Sequence, residues 1–244
     1  MIHRLRRHPI SVSAHFRHSL VLAYAIPASA LEPLLPPTLE PDRYGELGFA
    51  AAAFVQTDRM RPSFLPSALG LDFLLGGYRI FVRVAGQPSL RGLYIIRSDT
   101  DHRLLTFFGN ALTSYRYRTV EASCRCENGT LEIEVRPGVR ISADLGRRPA
   151  PLPPSSPFAS LAEARRFAGP LPYTFHHEPE TGLLLGVRGV RSSWNPEPVA
   201  VEVRELAFFT AERFGIEPTL ANAFYVGGID YRWERGKLLA AAKS

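Results

Sequence analysis

"FRHSLVLAYAIPASALEPLLPPTLEPD", Phe16–Asp42, is the stretch from which the fold can be built outward. Its first part runs into the unbroken apolar segment Leu20–Ile26. That is strand length, far short of the roughly 18 residues that would cross a membrane, and it reads as a buried strand. Pro27 then leads into a short helix over about Ala28–Leu35, because proline is tolerated in a first helical turn. Pro36-Pro37 stops it. Downstream, the small residues of "LGFAAAAFVQT" (Leu47–Thr57) suggest a strand packed closely against a neighbour. Residues 59–76, with Pro62, Pro66, Gly70 and Gly76, look irregular.

The rest is mostly strand. Tyr78–Val84 and Leu93–Ser98 are strands separated by the turn-forming "AGQPS". His102–Ser114 has Leu104, Leu105, Phe108 and Leu112 at helical spacing. "YRYRTVEASCRCE", "GTLEIEVRP" and "VRISADL" follow as strands, with an Asn-Gly hairpin signal between the first two. The proline-rich Gly146–Pro157 is the best linker candidate, and a helix runs from Ser160 to Gly169. Strand-rich sequence fills the remainder. About ten strands and a few helices make an α+β chain with a closed or nearly closed barrel, which can enclose a ligand cavity.

Of the 244 residues 45% are hydrophobic and 21% charged, a globular rather than a disordered composition. The basic start "MIHRLRRHP" precedes no signal-like segment, so the expected location is cytoplasmic. The net charge of +6 is almost all arginine; Lys237 and Lys243 are the two lysines. Arginines scattered along the chain read as a solvated surface, and nothing here has the dense basic run or motif of a nucleic-acid binder. Cys124 and Cys126 share one face of a strand and read as buried free thiols, too few for a structural zinc site. His176, His177 and Glu178 point alternately to opposite faces, which is poor for chelation. Asp99, Asp101 and His102 read as an N-cap for the helix that follows. No nucleotide-binding loop, nucleophile elbow or zinc-protease motif is present. No metal and no cofactor is called for.

"GNALTSYRYRT", Gly109–Thr119, changes from helix to an alternation of tyrosine and arginine. On a strand Tyr115, Tyr117, Thr119 and Glu121 share one face, and Arg116, Arg118, Val120 and Cys124 the other. Phenols make good cavity walls, with an apolar body and a polar tip, and an arginine beside them would fork onto a carboxylate. An ordinary amphipathic strand explains the pattern equally well.

The spacing from Arg17 to Pro36 and Glu40 resembles the opening of the acetoacetate decarboxylase-like superfamily. The segments "LLPPTLE", "LGGYRIFV" and "RSDT" are most similar to its uncharacterised YqjF-like branch, and the resemblance extends over nearly the whole chain. It implies one domain, residues 1–244, an α+β fold with a barrel-like antiparallel core. Decarboxylases of the superfamily carry G-R-E-L-x-x-Y-P-K-K where this chain has "GNALTSYRYR", so the two lysine positions hold Tyr117 and Arg118, and the proline position holds Arg116. A tyrosine cannot form the imine on which that decarboxylation depends. The branch's E-L-N is replaced by Leu75-Gly76-Gly77, whereas Arg17 and Arg79 match.

The resemblance thus implies a cavity lined by Arg17, Arg79, Tyr115, Tyr117 and Arg118, binding a small organic acid or enolate-like metabolite without Schiff-base chemistry. An alternative is a lyase, tautomerase or hydrolase with Tyr117 as general acid/base and Arg17 as oxyanion anchor, which needs a cation to lower the phenol pKa. Nucleic-acid binding through arginines is the third reading. The superfamily also suggests homo-oligomers.

Overall fold

The computed structural model describes residues 6–239. The strands in chain order are β1 (Val12–Pro27), β2 (Leu39–Pro41), β3 (Leu47–Pro62), β4 (Leu71–Val84) and β5 (Gln87–Thr100). Then come β6 (Tyr117–Thr119), β7 (Glu121–Glu127), β8 (Thr130–Arg136), β9 (Val139–Asp144) and β10 (Tyr173–Glu178). β11 (Leu183–Arg191), β12 (Glu197–Pro198), β13 (Ala200–Leu206), β14 (Thr219–Trp233) and β15 (Lys237–Leu239) complete the set. The helices are α1 (Ala28–Leu31), α2 (Arg103–Leu112), α3 (Leu161–Ala168) and α4 (Ala211–Phe214).

Strands β14, β1, β3, β4, β5, β10 and β11 pair in that order, and β11 returns to β14 through Gly189–Trp233, Val190–Arg232 and Arg191–Tyr231. The pairing closes into a barrel-like ring. A second sheet, β13-β9-β8-β7, lies against its outside. Between the two, Leu20, Leu22, Phe54 and Tyr78 of the ring meet Leu131, Ile133, Val135 and Ile141. Phe208 stacks on Tyr78 at 4.3 Å and Phe209 on Tyr24 at 4.4 Å.

This arrangement explains the unbroken apolar run of β1. Successive side chains alternate between the faces of a strand. Leu20, Leu22, Tyr24 and Ile26 face the outer sheet, while Val21, Ala23 and Ala25 face into the ring. Both faces are buried, so neither needs polar residues. β3 repeats the scheme with Ala50 and Ala52 outward and Ala51 and Ala53 inward.

Several local expectations change. The irregular region is shorter than the sequence suggests, because β3 continues to Pro62 and β4 begins at Leu71. The helix after Pro27 is α1 followed by a 3-10 turn, Glu32–Leu34. "YRYRTVEASCRCE" is not one strand: Arg116 has φ +53°, β6 pairs in parallel with β5, and β7 belongs to the outer sheet. Asp99 and Asp101 do not cap α2. Asp99 is buried between Arg97 and Arg118, each at 3.0 Å, and Asp101 accepts the Leu74 amide at 2.9 Å. Cys124 is half-buried and Cys126 exposed, since their strand lies at the edge of the outer sheet.

Other signals are fulfilled. Asn128 and Gly129 both take positive φ at the β7–β8 hairpin. The Ser160 hydroxyl accepts the Glu163 amide at the start of α3. The proline-rich 146–157 stretch, by contrast, is not a free linker but packs onto the ring: Ser156 Oγ donates to the Ala221 carbonyl at 2.7 Å, and the Ala150 amide to that of Pro198 at 3.0 Å. Among the described residues, no helix is long and apolar enough to cross a membrane.

Candidate functional site

The interior of the ring is incompletely filled. Ser19, Ala51, Ala53 and Gly77 supply little or no side chain to its wall, and a cavity of about 630 Å³ remains. That is within the usual range for small-molecule sites. Its mouth is marked by Leu69, Leu104 and Phe108, which line the cavity and are also exposed. Leu104 and Phe108 belong to α2, which is held down by Leu105, itself a lining residue, packing with Phe73 and Tyr117.

Most of the wall is apolar, but buried polar groups converge on it. Nine buried side-chain polar atoms among the described residues have no hydrogen-bond partner. Five of them, His8 Nδ1, Arg79 Nε, Tyr115 Oη, Arg191 Nε and Trp194 Nε1, belong to residues around this one cavity. Buried polar groups are ordinarily satisfied, so such a concentration marks a place where water or a ligand completes the bonding. No aspartate or glutamate is among the described lining residues.

Arg79 comes from β4, and its guanidinium lies along Gly77, where a Cβ would stand 3.7 Å from Nη2. Burial lowers its pKa to about 10, Arg191 adds to the lowering, and Tyr231 opposes it. It remains charged at neutral pH. Arg191 and Tyr231 face each other across the β11–β14 seam. The Arg191 guanidinium stands 4.0 Å over the Trp194 ring and 5.8 Å from that of Tyr231, and it donates to the Leu171 carbonyl at 3.0 Å. Gly189 is needed here: a Cβ would fall 1.7 Å from the Tyr231 hydroxyl. Arg61 also lines the cavity but is tied to the carbonyls of Leu65 and Arg59.

Tyr115 and Tyr117 stand together, ring centroids 6.2 Å apart, on the same wall. The Asn110 side chain clasps Tyr117 by its backbone, accepting its amide at 2.8 Å and donating to its carbonyl at 2.9 Å. Gly109 leaves space for the ring, since a Cβ there would come within 2.5 Å of it. Burial raises the pKa of both phenols. They are therefore neutral at pH 7, suited to hydrogen bonding rather than to acting as phenolate bases. Burial also lowers the pKa of His8 and favours its neutral form.

Arg79, Tyr115 and Tyr117 are thus brought together, whereas Arg17 and Arg118 are not among the lining residues. Arg17 sits where β1 shifts register against β3, and a bulge of this kind re-aims a side chain. Its side chain is 60% exposed and pairs with Asp58 at 2.9 Å. Arg118 alternates away from Tyr117 to meet Asp99 and opens on a separate outer groove with Arg97, Arg116 and Arg213. It supplies no cation on Tyr117's cavity side. Lys237 is exposed on β15 and away from the cavity; Lys243 lies outside the described residues, as does the very start of the basic N-terminal stretch. Sequence reasoning missed Arg191, Tyr231, Trp194 and His8. The available hint was a glycine inside a strand, Gly189, which marks a close approach.

A barrel-like ring with a second sheet on its outside and a mouth covered by one helix is the acetoacetate decarboxylase-like fold. The acetoacetate decarboxylase of Legionella pneumophila subsp. pneumophila str. Philadelphia 1 has the same architecture, with a TM-score of 0.64 and 14% identity over 95% of this chain and 88% of that one. An acetoacetate decarboxylase-like enzyme from Sphingomonas wittichii RW1 gives 0.62 and 14% over 97% and 95%. The enduracididine biosynthesis enzyme MppR, complexed with pyruvate, gives 0.61 and 14% over 95% and 90%. No curated protein matches the sequence. The chain belongs to DUF2071, a family of uncharacterised conserved proteins, whose pattern spans residues 13–230.

Proposed function

We propose that this protein binds a small organic acid or enolate-like metabolite in the barrel cavity, with the anionic oxygens held by Arg79 and Arg191 and oriented by the neutral phenols of Tyr115 and Tyr231. The observation that carries the reading is Arg79: a half-buried arginine whose Nε is enclosed and without a partner, in an apolar cavity whose described lining contains no acid. A buried cation without a counter-charge is expensive, and a carboxylate would supply both the missing charge and the missing acceptors. The fold accommodates such ligands, since MppR is complexed with pyruvate. Binding is non-covalent in this reading, because no lysine is among the described lining residues.

Thermal-shift and calorimetric titration with short keto and carboxylic acids tests it. Acids should stabilise the protein, their primary amides should not, and Arg79→Gln should weaken acid binding on the order of ten- to a hundred-fold, the worth of a charge-assisted hydrogen bond. Equal binding of acid and amide, or affinity indifferent to Arg79→Gln, overturns the proposal.

A further inference from the structure

The carboxylate reading accounts for one side of the cavity only. Arg79, Arg191, Tyr231 and Trp194 form a connected polar group. The remaining volume is walled by residues such as Phe81, Ile95 and Leu105, and it opens between Leu69, Leu104 and Phe108. A cavity of about 630 Å³ is several times larger than a three- or four-carbon acid requires. The apolar side chains at the mouth are unusually open to solvent: Leu69 is 64% exposed, Leu104 53% and Phe108 53%. Exposed apolar side chains clustered at the entrance of an apolar cavity mark a surface that a ligand covers.

We infer that the ligand is a monocarboxylate with an apolar tail, a medium-length acyl chain or an aryl-substituted acid, whose head lies at Arg79 and Arg191 and whose tail runs out along the inner face of α2 to Leu104 and Phe108. The inference rests on the carboxylate reading above and adds the tail to it. One head group suits the walls, because a second carboxylate at the far end would lie among largely apolar side chains, where the one further arginine, Arg61, already donates to the carbonyls of Leu65 and Arg59. The tail gains affinity by burial alone, about 0.8 kcal/mol per methylene, which is close to a four-fold change in Kd.

Both tryptophans of the chain, Trp194 and Trp233, line the cavity, so intrinsic fluorescence reports its occupancy directly. Titration with propanoate, butanoate, hexanoate and octanoate should show Kd falling about four-fold per added methylene, roughly a hundred-fold or more from butanoate to octanoate. Octanedioate should bind more weakly than octanoate. Phe108→Ser, at a site exposed enough to spare the fold, should lower the ratio of octanoate to butanoate affinity; Leu104→Ser serves the same purpose if Phe108→Ser melts early. A Kd that does not change with chain length, while short acids still bind in an Arg79-dependent way, overturns the tail and leaves the carboxylate reading standing. Octanol binding as tightly as octanoate, with no effect of Arg79→Gln, removes the carboxylate head and with it this inference. Binding of none of the acids overturns both.

Discussion

Arg79 and Arg83 lie four residues apart on β4 and have opposite fates. Arg83 reaches Asp42 at 2.5 Å, and Arg91 meets the other oxygen of the same wholly buried carboxylate at 2.5 Å. Arg79 faces the cavity with its Nε unpartnered. The first arrangement is a completed ion network that ties β4 and β5 to the segment after β2. The second is a half-buried charge without an internal counter-ion, which costs stability and which the proposed ligand would complete. On the proposed function, the contrast separates a structural arginine from one that serves a site, a distinction that composition and net charge cannot make.

The largest expected effect comes from breaking the completed network. Asp42→Asn leaves two guanidiniums against a neutral amide and should cost about 3 kcal/mol, toward the low end for a buried pair because both arginines retain some solvent access. Urea denaturation measures it. A loss below about 1 kcal/mol would show that the network contributes little, and the contrast with Arg79 would lose its basis.

A second group shifted by burial extends the comparison to pH. Burial lowers the pKa of His176 on β10 to about 4, with Glu178 opposing and His177 and Arg116 assisting. The ordinary value is about 6.5, so between these two values the unfolded chain binds the proton that the folded chain refuses. Stability contributed by His176 is therefore complete above about pH 6.5 and lost as pH falls toward 4. Allowing for the partial exposure of the ring, the loss should be about 1–2 kcal/mol. The urea midpoint of wild type should fall relative to that of His176→Gln as the pH drops through that window. Parallel curves would mean that the ring titrates normally.

The third test inverts the first. Arg79→Met replaces an unpartnered buried cation by an apolar chain of similar length, and it should raise stability by about 1 kcal/mol while abolishing acid binding. Destabilisation by more than about 1 kcal/mol would mean that Arg79 serves the fold, and the contrast on β4 would collapse.

These residues also show how far the sequence could be read. The continuous apolar run Leu20–Ile26, the Asn-Gly hairpin and the Ser160 cap are local patterns with local causes, and all appear in the structure. Of the proposed cavity residues, Tyr115 and Tyr117 came from a short alternating stretch and Arg79 from the resemblance. Arg191 and Tyr231 were illegible because they approach Arg79 only when β11 closes on β14, more than a hundred residues later in the chain. The sharp backbone turn at Arg116 was also hidden, since an arginine with positive φ carries no sequence signal. Arg17 was one of the two residues that the resemblance aimed into the cavity and that do not line it, and a shift in the β1–β3 register between Phe16 and His18 directs it elsewhere.

That displacement gives the smallest expected effect and the control for the others. Arg17 is exposed and already paired with Asp58, so it resembles Arg83 in having a partner and differs in being solvated. Surface pairs of this kind contribute about 0–1 kcal/mol. Arg17→Ala should therefore shift the urea midpoint barely, and acid binding should match wild type, whereas Arg79→Gln weakens it. The two substitutions remove the same charge from two strands of one ring and differ in whether the cation meets the cavity. If Arg17→Ala weakened acid binding as much as Arg79→Gln, the effect would be that of long-range charge, and adding salt should erase it for both variants. If only Arg79→Gln acts, and salt does not rescue it, the affinity depends on direct contact inside the barrel.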